Sequence, residues 1–302
     1  MSRETFRRTL RGKGPVSLKS STTKKREGEI LHIAKSPVIT MAPTTPIYDA
    51  VKIMAKEGFR RIPIADPGTK ALAGIVTATD IVDYLGGGKR FEIVQQKFSG
   101  NIFKAINEPV KLIMTQKVFA VKTTAEISEA VQIMKEKNLG GLPVIDEENR
   151  VRAIITERDI AYMFAGRISG VKVAELMTSQ VVTALPQTTI FEAEKSMIAH
   201  GFRRLPIVAD GKVVGIITAM DIIRFFGTGE VFKHLQSGTI TQVLNTPVFQ
   251  IATKNISTVE PNADVGQAAE LMREKNLGAL PVVQNGKLVG IITERDFFKI
   301  IE

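Results

Sequence analysis

Thr77 and Asp80 stand three residues apart at the end of a short apolar run, and the same spacing returns at Thr156 and Asp159, Thr218 and Asp221, and Thr293 and Asp296. An ionised Asp only accepts hydrogen bonds, so it can take them from two adjacent hydroxyls such as the 2′ and 3′ groups of a ribose, while a Thr hydroxyl can donate to a ribose or phosphate oxygen. A strand ending in Thr, followed by a helix beginning near Asp, also turns backbone N–H groups toward an anion. The same two residues can instead simply cap the following helix, with Asp favoured by the helix dipole. For a single copy either reading holds; four copies in register point to at least one nucleotide site.

The elements that must position these residues repeat with them. IITERD occurs at Ile154 to Asp159 and again at Ile291 to Asp296, with IVTATD (Ile75 to Asp80) and IITAMD (Ile216 to Asp221) as looser copies. Before each phrase an apolar stripe at helical spacing predicts an amphipathic helix: Ile47, Ala50, Val51, Met54; Ile127, Ala130, Val131, Met134; Ile190, Ala193, Met197; Val265, Ala268, Ala269, Met272. Such a stripe is a core face. Thr45, Thr124, Thr189 or Thr188, and Asn262 are the expected caps. After each helix come β-branched runs separated by turns such as ADGK and QNGK, which predict strand pairs, most simply hairpins. Each Thr-x-x-Asp falls 12 to 14 residues after a Pro, and a closing helical pattern follows it. The expected fold is α+β, with tandem repeats of a helix, two or three strands and a helix. A unit of that size buries too little surface to stand alone, so repeats should pack together.

GFRRIPI and GFRRLPI mark repeats one and three, whereas KNLGGLPV and KNLGALPV mark repeats two and four, so the chain reads as a duplicated two-repeat module. With these residues in register, it resembles the CBS domain family: two tandem pairs, or Bateman modules, comparable to the gamma subunit of AMP-activated protein kinase. The resemblance covers about residues 36–302. It divides the chain into a basic tail, 1–29, a first pair over 30–168 (repeats about 36–90 and 111–168) and a second over 169–302 (repeats about 173–228 and 246–302).

The resemblance implies ligands in a cleft between the repeats of each pair, with the four Asp on ribose, the four Thr beside them, and basic side chains on phosphate. The gamma subunits' recurrent phosphate Arg, three residues before the strand Pro, corresponds to Arg60 and Arg203, whereas Gly140 and Gly278 stand there in the even repeats. Arg158 and Arg295 of TERD are then the expected replacements, and Arg61 and Arg204 either join them or remain surface charges. The planar guanidinium suits phosphate because it binds in a bidentate manner and stays charged. Adenine-wall positions are expected at Ile39, Phe119, Val182 and Ser257, on the first strand of each repeat. Ala153 replaces the glycine found at Gly74, Gly215 and Gly290, which is expected to hold the repeat-two backbone farther from a ligand and leave fewer than four sites occupied.

Composition narrows the function. The 302 residues are 44% hydrophobic and 24% charged, and they include no Cys and three His, so disulfide, thiol and iron–sulfur chemistry are excluded and a metal centre is not expected. No apolar run has the length of a membrane span and the N-terminus does not read as a secretory signal, so a cytoplasmic protein without a membrane partner is expected. With no Walker loop and no paired nucleophile and base, the chain is expected not to be an enzyme.

Of the net charge of +10, residues 1–29 carry nine Lys or Arg against three Glu. Arg3, Arg7, Arg8, Arg11, Lys13, Lys24, Lys25 and Arg26, interleaved with Gly, Ser and Thr, suit a polyanion, and structured RNA such as a ribosomal subunit is the expected partner. The expectation is therefore a non-enzymatic regulator that binds AMP, ADP or ATP without a catalytic cofactor and couples it to a macromolecular partner. The alternatives are a gamma-like subunit of a kinase or other enzyme, and an S-adenosylmethionine-binding or purely structural scaffold. A homodimer is compatible with either.

Overall fold

The structure, a computed structural model, describes residues 28–231 and 239–301. The expected RNA-binding residues between Arg3 and Arg26 lie outside the described residues.

Each repeat carries an antiparallel hairpin, and these are β1 (Arg61–Ala65) with β2 (Leu72–Thr77), β4 (Gly141–Ile145) with β5 (Val151–Thr156), β6 (Arg204–Ala209) with β7 (Lys212–Thr218), and β8 (Ala279–Gln284) with β9 (Lys287–Thr293). In the last two hairpins both residues of the connecting pair, Asp210-Gly211 and Asn285-Gly286, have positive φ. Their backbone twist then matches that of the flanking strands. Helices Ile47–Glu57, Ile127–Glu136, Ile190–His200 and Val265–Glu274 precede the hairpins and bury the predicted stripes. Their caps differ from expectation except at Thr189: the N-cap residues of the other three are Pro46, Glu126 and Asp264. Asp264 accepts from Gly266 N at 2.7 Å and also from Ser169 and Gly170, so it ties down the preceding connection as well as the helix.

Among the described residues the chain packs as two discontinuous compact units, one holding residues 39–118, 182–231 and 239–256 and the other residues 28–38, 119–181 and 257–301. Contacts thus gather most of repeats one and three in one unit and most of repeats two and four in the other. Two features cause this. First, the opening segment of each repeat crosses to the hairpin of its neighbour in sequence: Thr115 exchanges both backbone bonds with Ile75, Lys35 with Ile154, Thr253 with Ile216 and Thr178 with Ile291. Second, the closing helices pack on the repeat two places away. In the odd-repeat unit, helix Ala219–Gly227 lies along helix Ile47–Glu57, where a Cβ on Gly227 would stand 2.6 Å from that of Ala55. In the even-repeat unit, the turn of helix at Glu157–Ala161 meets the one at Glu294–Ile300. Each unit has its own apolar core, which includes Tyr84, Phe225 and Phe226 in the first and Phe164 and Phe297 in the second.

The hairpin glycines have a different cause from the one expected. A Cβ on Gly74 would stand 2.7 Å from Sδ of Met114, and one on Gly290 would stand 2.5 Å from Sδ of Met177. Glycine there makes room for the crossing segment. Repeat two tolerates Ala153 because Ala34 precedes the residue, Lys35, that bridges to its strand. Ala153 therefore gives no reason for an empty site.

Candidate functional site

The strand register brings the predicted residues together inside each repeat. Arg61 pairs with Thr77 and Arg204 with Thr218, so in each pair the two side chains stand on one face of the hairpin. Arg60 O accepts from Ala78 N at 2.8 Å and Arg203 O from Ala219 N at 3.0 Å, closing the loop before the strand onto the residue after the Thr. Gly140 and Gly278 make the same closure on Glu157 N and Glu294 N, each at 3.2 Å.

The wall positions do not lie on strands. Ile39, Phe119, Val182 and Ser257 each fall two residues before the residue that pairs with the neighbouring strand, namely Met41, Val121, Ala184 and Val259. Only in repeat two does that opening pairing extend to a strand, β3 (Val121–Lys122). In an extended chain, residues two apart share a face. Ile39 and Phe119 are exposed, and Lys137 Nζ stands 5.5 Å over the Phe119 ring.

All four Thr-x-x-Asp phrases form the same cap. One carboxylate oxygen, Oδ2, accepts from the Thr N–H at 2.8 Å in each repeat. It also accepts from the Thr hydroxyl, at 2.6 Å for Asp80, Asp159 and Asp221 and at 2.8 Å for Asp296. The helix-capping role is therefore realised in every copy. It consumes one oxygen and leaves the other, Oδ1, outside the cap, so capping and ligand binding are compatible.

The surroundings of Oδ1 differ between repeats. Arg90 Nη2 stands 3.1 Å from Asp80 Oδ1. Arg224 Nη1 lies 3.0 Å from Asp221 Oδ1, and Thr253 Oγ1 reaches it at 3.5 Å. Lys299 Nζ lies 2.8 Å from Asp296 Oδ1. Among the described residues no side chain closes on Asp159 Oδ1, and Lys35 acts on it only through its charge. Burial lifts the pKa of Asp80, Asp159 and Asp221 above the ordinary carboxylate value, against the pull of the Thr hydrogen bonds.

Arg158 and Arg295 are held elsewhere than expected. Arg158 Nε donates to Glu294 Oε1 at 2.7 Å, and its Nη1 donates to Asn276. Arg295 Nε donates to Glu157 Oε1 at 2.6 Å, its Nη1 to Asn138 and its Nη2 to Leu139 O. Repeats two and four thus exchange a crossed pair of ion pairs within their unit, with Glu157 and Glu294 both 1% exposed. This differs from the expectation that the TERD arginines face phosphate: Nε of each donates to a buried carboxylate and Nη1 to an asparagine. The sequence did carry a signal for it, since the Glu-Arg dipeptide appears only in the even repeats, where odd repeats have Ala-Thr and Ala-Met.

Among the described residues no group of three or more His, Asp or Glu side chains could hold a metal ion, and no helix is long and apolar enough to cross a membrane.

The CBS domain family profile matches residues 29–87, 110–166, 173–227 and 248–302. Protein MJ1225 of Methanocaldococcus jannaschii is 36% identical over 273 residues, which cover 89% of this chain and 98% of its own. Its crystal structure, described as that of a proposed archaeal homologue of g-AMPK, has a TM-score of 0.84 at 34% identity, over 89% of this chain and 98% of that one. A 33.4 kDa protein in a ribosomal RNA operon of Thermofilum pendens is 33% identical over 267 residues, 88% of this chain and 89% of its own. With the profile matched at each of the four structural repeats, the chain belongs to the CBS domain family.

Proposed function

We propose that this protein is a non-catalytic regulator that binds adenine nucleotides at its Thr-x-x-Asp phrases and couples their binding to a macromolecular partner. The observation that carries the reading is the split use of each carboxylate: Oδ2 locks the strand-to-helix turn, and Oδ1 is directed outside that cap. A carboxylate held this way is oriented before a ligand arrives, which lowers the ordering cost of binding two ribose hydroxyls. Arg60 and Arg61, and Arg203 and Arg204, stand next to the phrase in the odd repeats and are the proposed phosphate ligands; Arg158 and Arg295 are not. Phe119 supplies the aromatic surface for a purine in repeat two.

Coupling requires that the ligand bind one state of the protein better than another. The description of MJ1225 as a proposed homologue of g-AMPK supports an enzyme partner regulated by this chain. The RNA partner rests on the charge of residues 1–29 alone, and a cytoplasmic location fits either partner.

Calorimetry with AMP, ADP, ATP and S-adenosylmethionine tests the nucleotide reading. Binding of at least one nucleotide, weakened by Asp159→Asn, is expected; heat from S-adenosylmethionine alone would reassign the ligand, and heat from none of them would leave a scaffold.

A further inference from the structure

The third residue after each site Asp differs in kind between repeats: Asp83, Tyr162, Arg224 and Lys299. In repeats three and four that residue is a cation reaching back one turn to the Asp outer oxygen, and it is about half exposed, 51% for Arg224 and 52% for Lys299. Asp221 and Asp296 are themselves buried, at 7% and 9% exposed, but the cation of each pair stands half in water and can swing aside for a competing ligand.

In repeat one the same place holds Asp83, and the cation arrives from outside the helix. Asp83 Oδ1 accepts from Arg90 N at 3.0 Å and Asp83 Oδ2 from Arg90 Nη1 at 2.7 Å, while Arg90 Nη2 reaches Asp80 Oδ1 at 3.1 Å. The guanidinium bridges two carboxylates that are 11% and 14% exposed, and its fixed fork suits that task better than an ammonium. In repeat two the place holds Tyr162, whose hydroxyl donates to Met272 O at 3.3 Å and whose ring lies 5.9 Å from the Arg158 guanidinium carbon. Tyr162 brings no charge to Asp159.

We propose that Arg90 is a tethered competitor for the Asp80 carboxylate, so that repeat one is closed by its own chain and adenine nucleotide enters repeat two first. The inference rests on the nucleotide reading above and adds a rule to it: the residue three after each Asp, with the partner it recruits, sets the order in which the half-sites fill. A ribose hydroxyl offers Asp80 Oδ1 a neutral hydrogen bond, and it must displace a charge-assisted one to do so. At Asp159 the same hydroxyl meets no side chain of the described residues that it must displace.

Titration of the full chain with AMP, followed by calorimetry, tests this in wild type, Arg90→Ala, Arg90→Gln, Asp159→Asn and Arg90→Ala combined with Asp80→Asn, each checked for native unfolding behaviour. Expected are a strongest binding phase that Asp159→Asn removes, and a further phase in Arg90→Ala about tenfold tighter than any counterpart in wild type. Arg90→Gln should show the same gain in smaller degree, and Asp80→Asn should cancel it. An Arg90→Ala isotherm equal to wild type, or weaker, overturns the inference; a weaker one would make Arg90 a ligand contact. AMP binding lost in Asp159→Asn would in that case still uphold the nucleotide reading. If wild type binds no AMP, the nucleotide reading falls for the native chain; binding that appears in Arg90→Ala would then sustain the competitor, and continued silence would overturn it.

Discussion

Arg158 Nε meets Glu294 Oε1 at 2.7 Å, joining repeat two to repeat four, and Arg295 and Glu157 return the contact at 2.6 Å. Both carboxylates are almost wholly buried, and the guanidinium partner of each offsets the cost of holding a charge there. Removing one partner exposes the cost of burying the other. Arg158→Ala should therefore lower stability by about 3 kcal/mol in denaturant melts, whereas replacing Arg158 and Glu294 together by apolar residues of similar volume should cost much less. A loss below about 1 kcal/mol for the single variant would mean that Glu294 reaches water or protonates at little cost.

The split carboxylate separates two effects that a single Asp substitution would mix. Asp159→Ala removes the cap and the outer oxygen together, so part of any loss in binding would follow a loss of about 1 kcal/mol in stability. Asp159→Asn can still cap through its side-chain oxygen. It should melt close to wild type and yet bind adenine nucleotide more weakly. Equal affinity for the two proteins would assign Asp159 to capping alone.

Burial raises the pKa of Asp159, with the Thr156 hydrogen bonds opposing it, which gives ligand binding a pH signature. As pH falls, this carboxyl takes up its proton earlier than a free Asp, which titrates near about 3.9. It then loses acceptor capacity on the oxygen proposed to face the ribose. Adenosine is the suitable probe because it carries no phosphate to titrate. Its affinity should fall on acidification with a midpoint above that of free Asp, and Asp159→Asn should flatten the profile. A profile that stays level down to the free-Asp range would place the ribose elsewhere.

Much of this arrangement was legible in the sequence because it is local. The stripes at Ile47, Ala50, Val51 and Met54 and at their repeats fix which helix face is buried. Asp210-Gly211 and Asn285-Gly286 fix two of the hairpins. What stayed hidden depends on which neighbour a segment chooses. Nothing near Lys35 or Thr115 encodes that each pairs with another repeat's strand, since a short extended segment satisfies its backbone equally well on either sheet edge. The first strand shrank to a single bridge in three repeats for the same reason: its other backbone groups go to turns and to the crossing segments. Arg158 and Arg295 lie beside the ligand motif in the sequence, and only the fold brings Glu294 and Glu157, more than a hundred residues away, within their reach. Arg90 was missed because it lies outside the repeat register, ten residues after the Asp it contacts.

Glu194 stands on a core face where the other repeats have Val51, Val131 and Ala269, and it is fully buried with no hydrogen-bond partner for either oxygen among the described residues. It packs against Gly86, Gly87 and Leu244, and a Cβ on Gly86 would collide with its carboxylate. Burial pushes its pKa well above the ordinary Glu value. The folded state thus holds a proton that the unfolded chain releases, so this group favours folding below the unfolded Glu pKa, and the contribution is lost as pH rises toward the folded one. Glu194→Val should stabilise the protein at neutral pH by about 1–3 kcal/mol, and the gain should shrink on acidification. Thermal melts at a series of pH values check both; destabilisation at neutral pH would show that the carboxylate finds a partner in solution.

The nine Lys and Arg within residues 1–29 make the proposed RNA partner testable through its salt dependence. Each cation that neutralises a phosphate releases counterions, so affinity should fall steeply as salt rises, by about 10³–10⁵ between 50 and 200 mM for 6–10 contacts. The cut should fall before Gly28, whose N–H donates to Thr123 O at 2.8 Å and so belongs to the folded part. Fluorescence anisotropy with a structured RNA, measured across that salt range, should show tight and steeply salt-dependent binding for the full chain and weak, shallow binding for the chain beginning at Gly28. Equal slopes for the two would move the contact to the CBS repeats. A full chain that fails to bind even at 50 mM leaves the partner to be a protein, because cations in this number hold a polyanion at low salt whether or not they recognise its sequence.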